Sequence, residues 1–111
     1  MGLELIVEVP PQARGTQVVI NATQEIIKQL RGKGYIDSAF ENQNRPPTTR
    51  AYLTSPYGHK VEVGFRGSYI FLHFNNYEGL MPPELQSSRD LARSAIEAAK
   101  SNLPEIFGHH S

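Results

Sequence analysis

Between Arg50 and Asn75 apolar residues recur at every second position in three successive runs, the period of strands with one face turned to a core. Two turn signals set their register. The pair Gly67-Ser68 suits a two-residue hairpin of type II′, with Gly supplying the positive φ, and it places Arg66 opposite Tyr69. Counting outward sets Phe65 against Ile70, Gly64 against Phe71, Val63 against Leu72, Glu62 against His73 and Val61 against Phe74. Upstream, Pro56-Tyr57-Gly58 reads as a type I turn closed by a left-handed Gly. Ser55 then lies opposite His59, Leu53 opposite Val61 and Ala51 opposite Val63. Both turns give the same inward face, and a one-residue slip in either turns its hydrophobic set toward water.

The opposite face carries Arg50, Tyr52 and Thr54, then Lys60, Glu62, Gly64 and Arg66, then Tyr69, Phe71 and His73. The last of these strands is apolar on both sides. Its rings are therefore either covered, by a second subunit or by the long segment Tyr35 to Thr49, or they form a working surface.

Earlier in the chain, Leu3, Leu5, Val7 and Val9 alternate with Glu4, Ile6 and Glu8, which predicts another strand ended by Pro10-Pro11, with both glutamates on the open face. Thr16 is placed to cap a helix running to about Arg31, with Val19, Thr23, Ile26, Ile27 and Leu30 on one stripe and Gly32 or Gly34 at the stop. A strand at Gln17 to Ile20 with the helix starting near Asn21 fits the spacing less well. Tyr35 to Thr49 reads as a polar loop with a short helical turn at Asp37 to Glu41, pinned by Tyr35, Ile36 and Phe40. Asn75 to Gln86 reads as a second irregular link, anchored by Leu80 and Met81. Ser87 or Ser88 is placed to cap a second helix, with Asp90 in its first turn, an apolar stripe of Leu91, Ala92, Ala95, Ile96, Ala99 and Leu103, and Pro104 just behind its end.

The expected fold class is α+β. One domain over residues 1–111 has the order β-α-β-β-β-α, a mixed four-stranded sheet and both helices on one face of a two-layer sandwich, with a flexible tail from about residue 108. The first strand pairs either with Arg50–Ser55 or with Tyr69–Phe74, and after one right-handed crossover it is expected to run parallel to its neighbour.

Composition narrows the chemistry. At 111 residues a chain can bury about 60–70% of its unfolded surface, and with no cysteine it has neither disulfides nor thiolate metal sites. Eleven basic residues balance eleven acidic ones, whereas a dedicated nucleic-acid binder usually carries a basic excess. Met1 to Val9 includes Glu4 and Glu8 and no basic leader, so no signal peptide is expected there. No apolar run approaches the ~20 residues of a membrane span. A soluble, cytoplasmic protein is the default expectation.

Glu62 opposite His73, with Tyr52 beside them, is the one pair with the look of an acid/base dyad, although cross-strand pairs of this kind are more often surface pairs. His59, His73, His109 and His110 do not form a metal-ligand set, because adjacent residues point apart. Gly32-Lys33-Gly34 closes a helix rather than opening one, so the dipole has the wrong sign for phosphate. No cofactor is expected.

The run Arg66-Gly67-Ser68-Tyr69-Ile70-Phe71-Leu72-His73-Phe74 resembles the aromatic strand of RNA-recognition motifs, which implies rings stacked on bases. Ile70 stands where a small residue is expected there, and the first strand lacks an aromatic. The order helix, three strands, helix from about Thr16 to Leu103, with Pro56-Tyr57-Gly58-His59 at the first hairpin, resembles a double-stranded-RNA-binding domain. The paired lysines of its second helix are replaced by Ser88-Arg89-Asp90. Neither family is assigned on these residues.

The leading expectation is a non-enzymatic binding protein, a homo-oligomer or the partner of another protein, that uses Arg50, Tyr52, Lys60, Glu62, Arg66, Tyr69, Phe71 and His73 on the open face. In that reading Tyr52, Tyr69 and Phe71 form a wet apolar strip in the monomer. A nucleotide or single-stranded nucleic-acid binder comes second, stacking bases on Tyr69, Phe71 or Tyr52 with phosphate at Arg50, Lys60 or Arg66. An enzyme using His73 and Glu62 comes third.

Overall fold

The fold is described from a computed structural model over residues 3–13, 15–38, 50–74 and 83–108. Strand β1 (Leu3–Glu8) leads through a 3-10 turn at Pro11–Ala13 into helix α1 (Thr16–Gly32). Strands β2 (Ile36–Asp37), β3 (Arg50–Thr54), β4 (Lys60–Arg66) and β5 (Tyr69–Phe74) follow, then helix α2 (Pro83–Asn102) and a single helical turn, α3 (Pro104–Phe107). The sheet has five strands in the order β1-β5-β4-β3-β2, and every neighbouring pair is antiparallel.

This differs from the expected mixed four-stranded sheet for one reason. Ile36 and Asp37 pair with Thr54 and Leu53, so part of the supposed loop, including the start of its expected helical turn, is an edge strand. The crossover through α1 therefore ends on β2 rather than β3. One added strand reverses the parity of everything after it, and β1 meets β5 antiparallel, with Leu5 opposite Leu72 and Val7 opposite Ile70. Of the two edges left open by the sequence, β1 takes the one beside β5. Residues 39–49 of the long segment, Phe40 included, and the anchors Leu80 and Met81 lie outside the described residues.

From β3 to β5 the register is the one that the turns predict, pair by pair. Gly67 takes φ +59° and Gly58 φ +88°, values that a side chain resists. Ser55 N–H donates to His59 C=O at 2.8 Å and closes the upstream hairpin.

Helices α1 and α2 pack together on one side of the sheet and complete the core. Val19, Thr23, Ile26, Ile27 and Leu30 are buried as the stripe requires, and Thr23 Oγ1 satisfies itself on Val19 C=O at 2.7 Å. The helix ends differ from the expected ones. Gly15, not Thr16, precedes α1, and no side chain caps it. Helix α2 begins a turn early at Pro83, a residue whose missing N–H costs nothing at the first helical position. Ser88 consequently falls inside the helix and is buried, together with Leu85. Ala92, Ala95, Ile96 and Ala99 are buried as expected, and Leu91 and Leu103 pack at the margin. Beyond Pro104, Ile106 turns back into the core. Within α1 the Gln29 amide donates to Glu25 at 2.7 Å and holds that carboxyl below its ordinary value against an opposing effect of burial, and Asn102 of α2 reaches the same oxygen at 3.3 Å.

A buried polar cluster ties the hairpin of β3 and β4 to α2. Ser55 Oγ accepts the N–H groups of Tyr57 and His59, both at 3.1 Å, so its own proton goes to Ser88 Oγ at 2.7 Å. Ser88 Oγ also lies 2.8 Å from His59 Nδ1, while the Tyr35 hydroxyl donates to Ser88 C=O at 2.5 Å. Burial pushes the Tyr35 phenol well above its ordinary value. Its neutral form is thus the one that fits the fold, and stability that is full below the unfolded phenol's value of about 10 falls as pH rises through it. Tyr35→Phe should cost about 0.5–1.5 kcal/mol near neutrality and flatten that alkaline loss, as read by urea melts on both sides of the phenol's ordinary value. An alkaline limb as steep as in the parent protein would place the effect elsewhere.

Candidate binding face of the sheet

The face opposite the helices is organised in rows across the strands. Tyr52, Glu62, His73 and Glu4 succeed one another from β3 to β1. Beside them run Arg50, Gly64, Phe71 and Ile6, and then Arg66, Tyr69 and Glu8. Thr54 and Lys60 lie at the other end, next to Ile36, which is 66% exposed. The sequence thus brings all eight of its candidate residues, Arg50, Tyr52, Lys60, Glu62, Arg66, Tyr69, Phe71 and His73, onto one surface.

Their environments differ. Phe71, taken as part of a wet strip, is only 1% exposed within the single chain. Gly64 opposite it has no side chain to compete for the space, and the Arg66 guanidinium lies over the ring at 4.7 Å from its centroid. Tyr52 and Tyr69 are half-buried, and the large exposed apolar group on this face beside Ile36 is Ile6, at 48%. Ile6 shares the alternation that placed Glu4 and Glu8 on this face, which is the signal that would have found it.

The charges pair locally. Arg50 Nε meets Glu62 Oε2 at 3.0 Å, and His73 Nδ1 lies 3.5 Å from Glu4 Oε2. Register puts Glu62 opposite His73, but no ion pair joins them among the described residues, so the expected dyad is not assembled. Of the three cations named for phosphate, Arg50 pairs with Glu62, Arg66 lies over Phe71, and Lys60 is exposed at the end of the face beside Thr54. Among the described residues no group of His, Asp and Glu is placed to hold a metal, and no helix is long and apolar enough to cross a membrane. The Ser55–Ser88–His59 cluster, which no spacing in the sequence announces, joins residues 33 apart. Ser88 is fully buried, so its hydroxyl is closed to substrate and serves the fold.

Compared with known proteins, the chain matches no family model, no curated protein and no solved structure.

Proposed function

We propose that this protein is a non-enzymatic binding module whose open sheet face docks on a protein surface, a second copy of the chain in the first instance. One observation carries it: half-exposed Ile6, Tyr52 and Tyr69 surround the buried Phe71, with Glu4, Glu8 and Glu62 set among Arg50, Lys60 and Arg66. An aromatic and aliphatic patch ringed by both signs of charge is the composition of a protein contact, and a two-fold axis through it lets acid meet base across the interface. The backbone under the patch is a ladder of paired strands, so the surface is preorganised.

Sedimentation over a concentration series tests this. The parent protein should associate as concentration rises, and Tyr69→Lys, which sets a cation in the contact, should weaken association by about tenfold or more, equivalent to about 1.4 kcal/mol. Circular dichroism and melting should stay unchanged in the variant, because Tyr69 is only half-buried. A parent protein that remains monomeric up to about 1 mM would overturn the self-docking reading.

A further inference from the structure

The outer edge of β1 has no neighbouring strand among the described residues. Val9 N–H donates to Ser68 C=O at 3.0 Å, and antiparallel ladders alternate bonded with non-bonded pairs, so Val7 and Leu5 also turn their backbone groups toward β5. Glu4, Ile6 and Glu8 then direct theirs outward. Along that edge a groove of about 530 Å³ separates β1 from α2. Arg89, Arg93 and Lys100 line its helix side together with Glu97, and Glu4 lines its strand side. Arg89 Nε is buried and finds no acceptor among the described residues, which is costly for a cationic donor. Glu4 does not supply one, since its carboxylate lies beside His73 on the open face.

We propose that the groove takes an extended acidic segment of another protein, added to the sheet as a strand on β1. Its backbone pairs with Glu4, Ile6 and Glu8, and acidic side chains at every second position meet Arg89 and Arg93. Residues between them point to the open face beside Glu4 and Glu8, where acids are disfavoured and apolar or basic groups fit. A second copy of β1 does not match this site. On the groove side it would offer Leu5 and Val7, with no carboxylate for Arg89, and on the open side it would bring Glu4 and Glu8 against their copies.

A labelled synthetic peptide as long as β1, alternating Glu with Val, tests the assignment by fluorescence anisotropy. Saturable binding is expected, and Arg93→Glu should weaken it about tenfold while favouring a peptide alternating Lys with Val. N-methylation of alternate peptide bonds should abolish binding, since the backbone contacts require free N–H groups. Equal binding by the N-methylated peptide, an unaffected Arg93→Glu variant with native circular dichroism, or no saturation at about 1 mM would each overturn the proposal. So would a dimer whose intermolecular amide contacts lie at Glu4, Ile6 and Glu8.

Discussion

Replacing Leu72 by alanine is expected to destabilise the protein by about 2–5 kcal/mol, through lost burial and the cavity left behind. Leu72 lies on the central part of β5, between Leu5 of β1 and Val63 of β4, and is fully buried. Neighbours held in a paired sheet cannot collapse far into the gap, which favours the upper part of that range. Against a total stability of about 5–15 kcal/mol for a natural domain, the loss is large enough to move a urea midpoint without changing the slope. A cost of a few tenths would mean that Leu72 does not face the helices. The register from β3 to β5 would then be wrong, and every residue assigned to the open face would fall with it.

That register is where the sequence is most legible, because two turns with different chemistry constrain it independently. Gly67 and Gly58 announce themselves by needing positive φ, and the alternation on either side of each agrees. Strand β2 gives no such signal. It has two residues, one of them the exposed Ile36, and two residues cannot display a period. The direction of β1 is hidden with it, since the parity of the meander depends on counting β2. The start of α2 is obscured for a different reason: Ser87 and Ser88 have cap chemistry, but Pro83 begins the helix a turn earlier and Ser88 is used inside it. Alternation also assigns a side chain to a face without saying what lies above it. The Arg66 guanidinium over Phe71 comes from a different cross-strand row, and a count of facing pairs does not reveal that contact.

The burial of Phe71 leads to the second large effect. If its ring were a wet surface anchor, Phe71→Lys would separate subunits and leave the monomer folded. With the ring 1% exposed, opposite Gly64 and beneath Arg66, the same substitution buries an ammonium and sets it against a second cation. Loss of the ring alone is worth about 3–5 kcal/mol, as for a buried Phe→Ala change. The lysine must also be desolvated without a partner or lose its proton, and either outcome adds to the deficit. Phe71→Lys is therefore expected to be largely unfolded at room temperature, with a collapsed near-ultraviolet circular dichroism signal. Tyr69→Lys, two residues away on the same face, should melt close to the parent. A folded, monomeric Phe71→Lys protein would show instead that the ring is accessible, returning Phe71 to the docking surface as its central anchor.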